Sequence, residues 1–189
     1  AHRLLPAAAF AGALVTGLFV FYLGKRTGSS KITLILAGIA INSLLSGATD
    51  AVYTFSETSL ISSSAFKIGG LSGISIPVLQ YAAVAVILAV AAVLLLHNEL
   101  EVLSLGEDTA KMLGLPVSFY RFLFLALAAV LSGAAVSFAG LIGFVGLMIP
   151  HIARLLVGEE CKDLIPASAL LGALFLLACD YIARTWFAP

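Results

Sequence analysis

Residues 143–158 read GFVGLMIPHIARLLVG. The stretch is apolar enough to enter a membrane, yet Pro150, His151 and Arg154 fall within five positions of one another. Pro150 has no N–H to donate and should disturb a helix. A histidine or an arginine is costly in lipid. The stretch is a failed span, a ligand site, or the end of a span that meets something at the membrane face. The sequence around it decides which.

Of the 189 residues, 61% are hydrophobic and 11% charged, and the mean hydropathy is +1.13. Soluble domains carry about 25% charged residues, so this composition indicates a membrane protein. Long apolar runs separated by short charged patches predict an all-α, polytopic transmembrane helical bundle. A formal net charge of zero gives nucleic acid no electrostatic footprint. Cys161 and Cys179 are the two cysteines; they suggest neither a metal site nor a disulfide framework. The chain opens on AHRLLP, without an initiator Met, and closes on TWFAP; it is expected to be part of a longer protein.

Six apolar segments can be read, at about 4–23, 32–53, 76–96, 122–139, 141–157 and 164–183. Most approach the roughly 20 residues that a membrane helix needs. Orientation follows the basic residues. With the 24–31 connection in the cytoplasm, Lys25, Arg26, Lys31, Lys111, Arg121, Arg154 and Lys162 lie inside, and Arg3, Lys67 and Arg184 outside. Moving Arg154 and Lys162 outside would erode that bias. The opening stretch is therefore read as a short crossing helix whose basic end emerges into the cytoplasm. A helix break is expected at Pro150 and His151, either beside a translocation path or as a kink packed between helices. His151 has no partner cluster that would make it a metal ligand, and no metal site is expected.

Three further features carry information. In the second segment Asn42, Ser46, Thr49, Asp50 and Tyr53 follow helical spacing and fall on one face, with Ser43 beside them. Such a face lines a pathway or acts as glue between helices. Gly140, Gly143 and Gly146 recur every third residue in the junction between the fourth and fifth segments, which reads as a very short turn with close helix packing. Residues 97–121 form a polar cytoplasmic connection. Within it, Ser104 and Glu107 make an S-x-x-E pattern that predicts a capping box. A short helix over 107–113 should follow, stopped by Gly114 and Pro116. No nucleophile–base pair, phosphate loop or nucleotide-binding motif appears. Uphill transport driven by ATP would require an ATPase on another chain.

Four stretches in order carry a resemblance: LILAGIAINSLLSG at 34–47, LEVLSLGEDTAKMLGLP at 100–116, AGLIGFVGLMIPHIARLLVG at 139–158 and DLIPASALLGALFLLACDYIAR at 163–184. Together they resemble the FecCD-type permeases, the membrane subunits of iron–siderophore, haem and cobalamin ABC importers. The likeness implies a type II, cobalamin-permease-like fold of about ten membrane helices. Residues 1–189 would form a single permease domain holding helices four to nine, without the first three and the last. Residues 98–120 would be a coupling segment within it. The likeness also implies a second permease copy or close paralogue, two ATPase subunits that bind the ATP, and an extracytoplasmic solute-binding protein. Surrounding lipid completes the set, in a bacterial or archaeal inner membrane. Carried over by position, Ser104, Glu107, Asp108, Lys111, Met112, Leu113 and Gly114 would form the ATPase-coupling helix. Asn42, Ser43, Ser46, Thr49 and Asp50 would line the pathway. Ser30, Lys31 and Ile32 would form the cytoplasmic gate, where Lys31 departs from the family's small hydroxyl residues. Arg184 would meet the binding protein.

The reading is a permease that imports iron chelates or cobalamin by alternating access and is not itself an enzyme. It needs no cofactor of its own. The alternative is an ion-coupled secondary transporter or channel using Asp50 or Asp180, which a broken fifth segment would also fit. An intramembrane enzyme using His151 is the third possibility; it lacks a partner nucleophile or second ligand.

Overall fold

The computed structural model describes residues 4–26, 31–55, 69–71 and 76–186. Eight helices and no strand appear among these residues: α1 (Leu4–Arg26), α2 (Lys31–Phe55), α3 (Ile76–Leu95), α4 (His97–Ser104), α5 (Glu107–Met112), α6 (Val117–Ala139), α7 (Val145–Val157) and α8 (Cys161–Trp186). An all-helical solution follows from the apolar composition, because lipid offers no partner to a backbone N–H or C=O. Among the described residues α2, α6 and α8 are each long and apolar enough to cross a membrane, and α3 with α4 passes the same test as one bent pair.

α6 is the centre of the packing, with α1 along one side and α3 along another. Small residues form the α1–α6 seam. A Cβ on Gly17 would stand 3.0 Å from the Ala129 Cβ, and one on Gly133 would stand 3.0 Å from Phe10 and 3.3 Å from the Ala13 Cβ. Ala13 and Gly17 thus face Gly133 and Ala129 in antiparallel order, a small-xxx-small pattern on both helices. It lets the backbones approach closely where no hydrophobic effect drives association. α2 packs on α1, and α7 on α8. Ile149 and Ala153 are the buried side of α7, with Ile149 3.8 Å from where a Gly172 Cβ would be.

Two departures from the sequence reading matter. Residues 97–104, read as part of a polar connection, form α4. The helix axis turns by 64° between α3 and α4 without a proline. The His97 Nδ1 lies 2.8 Å from the Leu94 carbonyl oxygen, a side chain inserted into the ladder at the bend. The apolar run ends here and α4 carries Glu99 and Glu101, so the chain turns where its side chains stop suiting lipid. α4 then packs against both α6 and α8.

The second departure concerns the fifth segment. α7 begins at Val145, not at 141, and its 13 residues reach only about 20 Å against a hydrocarbon core of about 30 Å. α7 also runs as helix straight through Pro150 and His151, so the expected break is not there. Ile149, beside Gly172 of α8, and the fully buried Ala153 hold the helix on either side of the proline. The irregular backbone lies before it, at 140–144, where Phe144 has φ +64 and the Val145 N–H donates to the Gly143 oxygen at 2.8 Å. Such backbone at membrane depth needs protein cover. Gly69 and Gly70 cover its first part: the Gly70 N–H donates to the Ala139 oxygen at 2.8 Å, and a Cβ on Gly69 would fall 2.5 Å from the Leu141 oxygen.

Candidate functional site

The most completely built candidate is α5, between α4 and α6. The capping box does not form. Because α4 continues to Ser104, that residue is helical and its hydroxyl donates to the Glu101 carbonyl at 2.7 Å, the back-bonding typical of serine within a helix. Gly106 occupies the N-cap position with φ +115 and no side-chain cap. Glu107 instead accepts a hydrogen bond from Arg121 Nη1 on α6. Glu107 and Asp108 in the first turn and Lys111 in the last still complement the helix dipole. Asp108 and Lys111 pair at 3.6 Å on the surface.

The C-terminal stop is as the sequence implied. Gly114 has φ +82, its N–H donates to the Lys111 oxygen at 3.0 Å, and the Leu115 N–H donates to the Ala110 oxygen at 3.0 Å. This is the paired 5→2 and 6→1 bonding of a Schellman motif, whose αL residue favours glycine. Ala110 is fully buried, whereas Met112 is 87% exposed and Leu105 and Leu113 are also exposed. α5 therefore presents an apolar knob outward and a small residue inward.

The polar face of α2 is intact but uncovered. Asn42, Ser43, Ser46, Thr49 and Asp50 are all exposed. The Ser43 hydroxyl donates to the Ile39 oxygen at 3.0 Å and that of Thr49 to the Leu45 oxygen at 2.7 Å. These bonds satisfy the hydroxyls within the helix and let them sit in an apolar environment. Ser30 and the side chains of Lys31 and Ile32 lie outside the described residues. His151 is exposed, and no cluster of His, Cys, Asp or Glu able to hold a metal occurs among the described residues. At the far end of α8, Arg184 Nε donates to Asp180 Oδ2 at 2.8 Å, with the arginine side chain more exposed than the aspartate.

These groups do not converge on one site. α2 packs on α1, α5 on α4 and α6, and α8 on α7 and α4. Sequence reasoning missed the Glu107–Arg121 pair. The two residues are 14 apart, too far to touch along a single helix at about 1.5 Å per residue, and the Schellman turn brings them together. The Asp180–Arg184 pair was missed too, although its i,i+4 spacing could have shown it.

The comparisons decide the family. The sequence model of the FecCD transport family matches residues 1–189. This chain belongs to the FecCD transport family. With its apolar helices it is a multi-pass membrane protein. It is 41% identical to YfhA of Bacillus subtilis, named a probable siderophore transport system permease, over 98% of this chain and 54% of that protein. It is 39% identical to the cobalamin import system permease BtuC of Halobacterium salinarum over 94% of this chain and 48% of that one. It is 36% identical to the hemin transport system permease HmuU of Yersinia pestis over 96% of this chain and 54% of that one. The chain thus spans about half the length of the curated relatives it matches. A solved inward-facing transporter, classed as a metal-chelate type ABC transporter, superposes with a TM-score of 0.81 at 28% identity, covering 96% of this chain and 65% of that one.

Proposed function

We propose that this FecCD-family chain is part of the permease subunit of an ATP-driven importer for iron chelates (siderophore or haem) or cobalamin. The observation that carries the reading is α5, a short capped helix between two longer helices with Met112 and Leu113 turned outward. An ion-driven carrier has no use for such a knob; a membrane subunit that must be gripped by a separate ATPase does. The named relatives handle siderophore, cobalamin and hemin, which supports this cargo class.

In the proposed mechanism ATPase subunits bound at the cytoplasmic face close on ATP and displace α5, with Ser104, Glu107, Asp108, Lys111, Met112, Leu113 and Gly114 forming the gripped segment. Two permease copies, or this chain and a paralogue, alternate access along a path lined by Asn42, Ser43, Ser46, Thr49 and Asp50 and closed inside at Ser30, Lys31 and Ile32. This lining is rich in hydroxyls, and those of Ser43 and Thr49 are satisfied within α2, so a large chelate slides past them without being held. Arg184, oriented by Asp180, receives an acidic group of an extracytoplasmic binding protein; its role is register, since an exposed pair contributes under about 1 kcal/mol. The 150–154 stretch shapes the inner end of the path. The chain performs no covalent chemistry, and the proposed setting is the bacterial or archaeal inner membrane.

The test is uptake by cells expressing the full-length protein with its partners. Radiolabelled ferric siderophores, haemin and cyanocobalamin are offered in turn, with vanadate or a proton uncoupler added. Vanadate-sensitive uptake of one of them is the expected result. Uptake that persists with vanadate and collapses with the proton or sodium gradient would replace the importer with an ion-coupled carrier.

A further inference from the structure

We propose that α5 and α6 form one rigid lever, and that Arg121 is the positioning residue that holds it together, so that displacement of α5 is delivered to α6. The inference rests on the importer reading above and adds which flank of α5 carries the motion.

The connection between α5 and α6 is only Leu113–Pro116, and it is fixed along its length. Gly114 is held by the two Schellman hydrogen bonds. Pro116 has its φ locked by its ring and is spanned by the Val117 N–H donating to the Leu115 oxygen at 2.8 Å. The Phe119 N–H donates back to the Pro116 oxygen at 3.0 Å, so α6 starts without slack. The far end of α5 is tied as well, because Arg121, one turn into α6, bonds Glu107, the first residue of α5. The Arg121 side chain is only 18% exposed, so its guanidinium is held in place by packing. With both ends of α5 anchored to α6, and Ala110 and Val117 buried beside them, the two helices cannot rotate independently.

The other flank is built differently. Gly106 joins α5 to α4 with φ +115, and nothing lies within 4 Å of where its Cβ would be. The turn there is closed by two long hydrogen bonds of 3.3 Å, from the Leu105 and Gly106 N–H groups to the Val102 and Leu103 oxygens. No side-chain bond from α5 to α4 occurs among the described residues. α5 does pack against α4, but no side-chain bond among the described residues ties it there, so Gly106 is the pivot and α6 the arm. Because α6 packs against both α1 and α3, the arm reaches the centre of the bundle.

The experiment uses the full-length permease assembled with its ATPase and binding protein in lipid nanodiscs, with native cysteines replaced. Docking of α5 is followed by crosslinking of Met112→Cys to the ATPase. Movement of α6 is followed by a spin label at Ser118→Cys, from the distance between the two permease copies with and without ATP and vanadate. In the parent protein the crosslink forms and the Ser118 distance shifts with nucleotide. In Arg121→Gln the crosslink persists while the Ser118 shift is lost. Glu107→Gln, which removes the same charge pair from its more exposed side, also loses the Ser118 shift. The charge-reversed pair Glu107→Arg with Arg121→Glu restores the shift. A Ser118 shift that survives in both single variants overturns the lever. A parent protein showing neither crosslink nor shift overturns the importer reading beneath it.

Discussion

Replacing Gly17 by alanine tests the packing that holds the bundle together. The new Cβ would stand 3.0 Å from the Ala129 Cβ, which is tighter than most carbon contacts. Ala129 has no rotamer through which to yield, so the α1 and α6 backbones must part by several tenths of an ångström. Overpacking of this kind costs about 1–3 kcal/mol. Exchanging a mid-helix glycine for alanine returns up to about 1 kcal/mol, which leaves a net loss of about 0–2 kcal/mol, centred near 1. The assay is thermal unfolding of the full-length protein in detergent, followed by the loss of its monodisperse gel-filtration peak. Gly17→Ala should lower the Tm. Adding Ala129→Gly moves the small residue to the other side of the seam, relieves the contact and should restore most of the loss. A Gly17→Ala protein as stable as its parent, or a double variant no better than the single one, would refute the antiparallel small-residue seam.

Other expectations follow from single residues. Gly114→Val places a β-branched residue at φ +82 and should loosen the end of α5 by about 1 kcal/mol or more, seen as lower ATP-coupled uptake at unchanged membrane abundance. Gly69→Ala should disturb the cover over 139–141, because its Cβ would meet the Leu141 oxygen at 2.5 Å; faster proteolysis of the outer connection is the readout. Arg184→Glu should weaken association with the binding protein, with the largest difference at low salt, and a surface-binding titration at two ionic strengths checks it. Pro150→Ala should impair uptake or assembly; if both are unchanged, the 150–154 stretch has no part in the pathway.

The fold class was legible because lipid leaves few choices: helices or a closed barrel, and unbroken apolar runs rather than alternating ones point to helices. The end of α5 was legible for a local reason, since Gly114 followed by Pro116 permits one kind of helix stop. Its start at Glu107 was also as expected, but what caps it was not. The S-x-x-E pattern at Ser104 and Glu107 fits a cap only if no helix runs into Ser104, and α4 does. Pro150 misled in the opposite sense. A proline sufficed to predict a break, but the buried Ile149 and Ala153 keep α7 continuous, and the irregular backbone falls at the glycine-rich 140–144 instead. The polar face of α2 could be found by periodicity. What covers it could not, because Asn42, Ser43, Ser46, Thr49 and Asp50 remain exposed.

The central claim is that α5 is the point at which a separate ATPase grips this chain. The most direct measurement places a cysteine at Met112 in the full-length protein in native membranes and tests crosslinking to a nucleotide-binding subunit with and without ATP. The account predicts a crosslink whose yield changes with nucleotide. Uptake that continues while Met112 crosslinks to no such subunit, with or without ATP, would contradict it.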